Sequence, residues 1–171
     1  MENTISVINP KTDEAVKLPP PLNQGDDNSV STCNLLLRGE LAAVETYEKV
    51  IEKFGDPTFG GILRTGLADH MRACSLLREF VLEEDAAPKE DSGIWGALTR
   101  GIQSTANLFG ASSAITTLLQ GERLGKSAYE GALSSDSVDA DFKLLIRDRL
   151  LPYVNEHIRR LESTREQIKG S

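Results

Sequence analysis

Two stretches of this chain are near copies of each other. Leu36-Leu37-Arg38-Gly39-Glu40 is followed seven residues after the Glu by Tyr47-Glu48, and Leu118-Leu119-Gln120-Gly121-Glu122 by Tyr129-Glu130, each pair 82 positions apart (122 minus 40). A second echo follows each. Asp69-His70-Met71-Arg72 leads to Arg78-Glu79, and Glu156-His157-Ile158-Arg159 leads to Arg165-Glu166, at an offset of 87 (157 minus 70). A two-element unit thus occurs twice, with five extra residues in the second copy. Each unit carries one Glu and one of only two histidines. The chain is constrained to an architecture in which two equivalent halves bury their apolar faces against each other.

The period of those faces is helical. In the first element Cys33, Leu36, Leu37, Val44, Tyr47, Ile51 and Phe54 form a stripe from an N-cap at Asn28 or Ser29. Gly55-Asp56-Pro57 ends this helix and starts the next, Gly serving as C-cap, Asp as N-cap and Pro as first helical residue. So short a link makes the two helices antiparallel neighbours. The second helix, from about Pro57 to Leu82, turns Phe59, Leu63, Leu67, Cys74, Leu77 and Val81 inward. The third, from about Ser112 to Leu133, does so with Ile115, Leu118, Leu119, Tyr129 and Leu133. The fourth follows the loop Ser134 to Ser137 and runs to about Lys169 with Phe142, Leu145, Ile146, Leu150, Tyr153, Val154, Ile158 and Leu161 inward. Pro152 is expected to kink it.

Between the hairpins lies a long link, Glu83 to Gly110, in which Ser92 or Gly93 opens a short helix with Ile94, Leu98, Ile102 and Phe109 on one face and Trp95 beside it. A hairpin needs no such link; a crossover along a bundle does. The predicted fold is all-α: a four-helix bundle of two repeated hairpins joined by a long crossover, over residues 28–171. Residues 1–27 hold Pro19-Pro20-Pro21 and few apolar side chains, and are expected to form a flexible tail.

Composition narrows the function. A net charge of −7 argues against nucleic acid, whose phosphates need Lys and Arg. No run of about 18 apolar residues exists, so no membrane span is expected, and no secretory leader is visible, which points to the cytoplasm. Cys33 and Cys74 lie in apolar helical patterns and read as buried, reduced thiols. There is no Gly-rich phosphate loop and no Ser/His/Asp or Cys/His nucleophile set, so no residue is assigned as catalytic.

Glu40, His70, Glu122 and His157 all fall inside the apolar stripes, one per helix. In an antiparallel hairpin Glu40 and His70 sit at the same height. An ionised carboxylate in a core must be paired, hydrogen-bonded, protonated or bound to a cation. Two carboxylates and two imidazoles are four candidate ligands for one divalent metal, iron, manganese or zinc. The alternative is a metal-free helical interaction module whose four residues form a buried polar network. Tyr47 and Tyr129, one heptad beyond each Glu, are candidate supporting donors. Glu48 and Glu130 point roughly 80° away from the Glu40 and Glu122 directions.

At these residues the chain resembles the ferritin-like superfamily, and most closely a family of bacterial ferritin-like domains of unknown function. Arg38-Gly39-Glu40-Leu41-Ala42-Ala43-Val44-Glu45-Thr46-Tyr47, Leu67-Ala68-Asp69-His70, Ser92-Gly93-Ile94-Trp95-Gly96-Ala97 and Leu151-Pro152-Tyr153-Val154-Asn155-Glu156-His157-Ile158 carry the resemblance. It implies a ferritin-like bundle that binds metal or takes part in stress-related metal handling, and it admits homo-oligomers, since ferritin relatives form cages and dimers. The superfamily's di-iron pattern places one Glu on each of two helices and Glu-x-x-His on the other two. Glu40, Glu122, His70 and His157 match it. Leu67 and Val154 stand where the remaining Glu would be. A di-iron oxidase or ferroxidase is therefore not expected.

Overall fold

The computed structural model describes residues 28–55, 59–93, 95–96 and 110–169. The tail 1–27 lies outside them, as do Asp56 and Pro57 and, within the link, Ile94, Leu98, Ile102 and Phe109. The described chain is helical, and no described helix is long and apolar enough to cross a membrane. Helix α1 spans Ser29–Phe54, α2 Gly60–Glu83 and α3 Ala111–Ser134. Helix α4 is one continuous rod in three parts: Ala140–Leu145, a π-helical turn Ile146–Leu150, and Leu151–Lys169.

Local chemistry sets the ends. The Asn28 carboxamide oxygen accepts the Ser31 N–H at 2.9 Å, and Asp139 accepts the Phe142 N–H at 2.8 Å; both are N-caps satisfying otherwise orphaned amides. Gly55 donates its N–H to the Ile51 carbonyl at 2.8 Å, and a Cβ there would lie 2.3 Å from that oxygen, so only glycine closes α1 in this way. Helix α2 ends in a Schellman motif: Ala86 donates to the Val81 carbonyl, Asp85 to Leu82, and Asp85 takes φ 53°.

Cross-helix contacts give the topology. Against α1, residues of α2 descend as α1 ascends: the Cys33 thiol donates to the Leu77 carbonyl at 3.3 Å, Glu40 meets His70, and the Tyr47 ring lies where a Cβ on Gly66 would be. Helix α3 also descends, with Glu40 against Tyr129 and Tyr47 against Glu122. Phe142 of α4 stacks on Phe80 of α2 (centroids 4.5 Å apart), and His157 meets Asp69. The backbone N–H of Asp139 reaches the Ser29 hydroxyl, which places the starts of α4 and α1 at one end. Helices α1 and α4 therefore point one way, α2 and α3 the other. The end of α2 and the start of α3 thus lie at opposite ends of the bundle.

The start of that segment is strapped to α1. Asn34 accepts the Lys89 N–H and donates to the Ala87 carbonyl, and Arg38 pairs with Asp91 at 3.6 Å. Trp95 and Gly96 begin a helical turn, donating to Ser92 and Gly93, and Trp95 is buried against Gly39. The apolar stripes are mostly as expected, with a shift on α1: Ala42, Thr46 and Val50 are buried while Val44, Ile51 and Phe54 are half-buried. Helix α1 packs closely on α2, where the Tyr47 ring lies against Gly66, and its small residues Ala42 and Thr46 line a cavity on the side of α3.

Pro152 perturbs α4 through the π turn. Proline has no N–H to donate and its ring crowds the carbonyl four residues back, here that of Asp148 in the π turn. The inward positions Phe142, Ile146, Leu150 and Val154 are spaced by four each time, which on a regular α-helix drifts by roughly 120°. The π turn absorbs one residue, and all four stay buried. Both cysteines are buried and free, with burial pushing each thiol up to about 12.

Candidate metal centre

The core has two apolar clusters. One contains Leu37, Leu77, Phe142 and Ile146; the other contains Val50, Leu63, Leu119 and Leu161. Between them lies a polar layer to which every helix contributes. Glu40 from α1, His70 from α2, Glu122 from α3 and His157 from α4 are all at most 6% exposed. Helical period alone brought these four inward, and the fold brings them together.

The connections are specific. His70 lies between two carboxylates, with Nδ1 2.7 Å from Glu40 Oε2 and Nε2 3.0 Å from Glu122 Oε1. His157 also lies between two, with Nε2 3.2 Å from Asp69 Oδ2 and Nδ1 3.3 Å from Glu122 Oε1. The second of these contacts lacks hydrogen-bond geometry, so Nδ1 is a buried ring nitrogen without a hydrogen-bond partner. Tyr129 donates to Glu40 Oε1 at 2.7 Å, and Tyr47 donates to Glu122 Oε1 at 2.5 Å. Each tyrosine therefore serves the carboxylate of the other hairpin. The two imidazole rings are tilted, with centroids 4.9 Å apart.

Electrostatics follow from this arrangement. Burial works against a charged His70, but Glu40 and Glu122 outweigh it and push its pKa up to about 10. Burial likewise works against a charged Glu122, yet His70 and His157 bring it down to about 2. Both tyrosines are held well above their ordinary range, first by burial and then by the carboxylate each one serves, so they remain neutral donors.

Among the described residues, His70, Glu122 and His157 form a group whose donor atoms lie within 4.8 Å of one another and could hold a metal ion. The contacts are of the right length. Donors about 2.0–2.1 Å from a tetrahedral metal lie roughly 3.3 Å from each other, compared with 3.0 and 3.3 Å here. Glu40 is placed differently: one oxygen holds His70 Nδ1 and the other receives Tyr129. Beside the site, between α1 and α3, is a cavity of about 60 Å³ lined by Gly39, Glu40, Tyr47, His70, Gly121, Glu122, Gly125 and Tyr129. That is room for about two water molecules.

The model of a family described as a domain of unknown function, DUF2383, matches residues 28–135, more than half of the chain. This chain belongs to the DUF2383 family. No curated protein and no solved structure matches it. Within this DUF2383 protein the matched span holds Glu40, Asp69, His70 and Glu122, and His157 lies beyond it.

Asp69 is the site residue that sequence reasoning missed. It neighbours His70 in sequence and points roughly 100° away from it on the helix, which sets it off the His70 face when α2 is considered alone. In the DUF2383 bundle that direction faces α4, and Asp69 meets the histidine of the other hairpin. Its only sequence signal is its place between the α1-facing and solvent-facing sides of α2. Glu48 and Glu130 are exposed, and Glu156 is engaged by Arg159 and Arg160, so none of the three joins the site. Leu67 and Val154, where a di-iron pattern would place carboxylates, pack against the apolar clusters.

Proposed function

We propose that this protein is a ferritin-like bundle that binds one divalent metal in its interior, for metal handling rather than turnover. Under this reading His70 Nε2, His157 Nδ1 and Glu122 are the ligands. Glu40, expected from sequence to be a fourth ligand, holds His70 from behind. The observation that carries the reading is that each histidine already has its outer nitrogen against a carboxylate while its inner nitrogen faces Glu122. Carboxylates behind ligand imidazoles are the usual support of a metal site. Two imidazoles and one carboxylate suit zinc, manganese or iron(II), and the neighbouring cavity leaves room for a water as further ligand. The up-down-down-up topology with one long crossover, and the echo of Glu, Tyr and His between the hairpins, support the ferritin-like assignment and a shared origin of the two halves. Three ligands, with Leu67 and Val154 in place of carboxylates, support one metal rather than two.

The test is elemental analysis of protein purified from metal-supplemented cells, followed by melting with each metal. About one equivalent of zinc, manganese or iron is expected. Metal at a hundred times its dissociation constant should add about 2.7 kcal/mol of stability. Glu122→Gln should abolish both effects. Absence of bound metal and an unchanged melt with all three would refute the reading.

A second reading has its own observation: the network is nearly closed without metal. His70 bridges two carboxylates and each carboxylate also receives a tyrosine. In that case the site fixes helix register, and the protein works as an interaction module through its acidic surface or the segment 1–27. Loss of partner capture on deleting 1–27, with no effect of Glu122→Gln, would favour it.

A further inference from the structure

We propose that Asp69 is a positioning residue that turns the bare Nδ1 of His157 into the site. The inference rests on the metal reading above, and adds to it which atom of each histidine is offered and what enforces the choice.

A neutral imidazole carries one proton on one of two nitrogens, and the partner of one nitrogen decides the role of the other. His157 has two carboxylates available. Asp69 Oδ2 lies 3.2 Å from Nε2 in hydrogen-bonding geometry, whereas Glu122 Oε1 lies 3.3 Å from Nδ1 without it. The proton therefore belongs on Nε2, donated to Asp69, and Nδ1 keeps its lone pair. Glu122 is already committed to Tyr47 and His70 through the same oxygen, so it competes poorly for the His157 proton. Asp69 is itself held: its other oxygen accepts Arg72 Nη1 at 3.0 Å, and the Arg72 guanidinium stands over the Tyr153 ring of α4. Arg72 thus fixes the carboxylate across the α2–α4 seam, at the same height as the histidine it orients. Glu40 does the corresponding work for His70, but at the opposite nitrogen. The geometry assigns a mixed pair, with His70 binding through Nε2 and His157 through Nδ1.

Because the chain has only two histidines, ¹⁵N-histidine labelling and long-range ¹H–¹⁵N spectra can read each ring. In metal-free wild-type protein His157 should carry its proton on Nε2 and none on Nδ1. In zinc-loaded protein the metal should sit on His70 Nε2 and His157 Nδ1. Asp69→Asn offers Nε2 a donor as well as an acceptor and frees the proton to move to Nδ1; zinc affinity should fall about ten- to hundredfold. Asp69→Glu, which restores a carboxylate acceptor, should recover part of that loss. A His157 protonated on Nδ1 in wild-type protein overturns the proposal, as does an Asp69→Asn protein with unchanged tautomer and unchanged zinc affinity. Wild-type protein that takes up no zinc while His157 shows the Nε2 tautomer would overturn the metal reading and leave the role of Asp69 standing.

Discussion

At the scale of single residues, the chemistry centres on His70. Protonated, it is a buried cation between two carboxylates; Glu40 and then Glu122 raise it against burial, and it in turn, with His157, lowers Glu122. Their signs set a pH window. His70 holds its proton more tightly in the folded chain, so its contribution is whole below its ordinary value of 6.5 and is lost as pH rises through about 10. Glu122 is more acidic in the folded chain, so its contribution is whole above 4.5 and is lost as pH falls through about 2. Thermal melts in chelator should therefore peak between about pH 4.5 and 6.5. Glu122→Gln should lose the acid limb and make the alkaline limb shallower. The sequence showed that Glu40, His70, Glu122 and His157 point inward, because a 3.6-residue period reports the face a residue occupies. It could not show that Glu40 would meet His70 with one oxygen and Tyr129 with the other, or that Asp69 would reach the other hairpin. Those pairings depend on which neighbour each face meets, and the period of one helix does not contain that information.

At the scale of elements, helix ends and irregularities carry most of the remaining detail. Asp85 occupies the left-handed position that closes α2, at φ 53°, where glycine is the unstrained choice. Its carboxylate also lies at the negative end of the helix dipole. Asp85→Gly should raise stability by about 0.5–1 kcal/mol, read as a shift in the urea midpoint with unchanged slope. An end of α2 at about Leu82 was expected, but not that a Schellman motif would make it without glycine. The π turn in α4 was legible in principle. Three successive steps of four, from Phe142 to Val154, exceed what an α-helix can keep on one face. Only a kink at Pro152 was expected, because proline is the more familiar cause of irregularity.

At the scale of the whole molecule, the polar layer divides the core and ties the hairpins together. Tyr47 of the first hairpin serves Glu122 of the second, and Tyr129 of the second serves Glu40 of the first. Double-mutant cycles with Tyr→Phe and Glu→Gln should give coupling energies of about 1–2 kcal/mol for Tyr47 with Glu122 and for Tyr129 with Glu40. The crossed pairs, Tyr47 with Glu40 and Tyr129 with Glu122, should couple more weakly. The topology was readable from link lengths alone: five residues separate α3 from α4, and a stretch from Glu84 to Gly110 separates α2 from α3. The close approach of α1 to α2 was less readable, because it depends on Gly66, where a Cβ would meet the Tyr47 ring and which leaves no apolar stripe. One consequence of the π turn concerns insertions and deletions. Because the turn Ile146–Leu150 stores one surplus residue, losing a residue there would yield a regular helix with everything after it facing as before. Losing one anywhere from Leu151 to Glu156 would swing His157 roughly 100° out of the polar layer. In this helix the site tolerates a change of length on one side of Leu151 and not on the other.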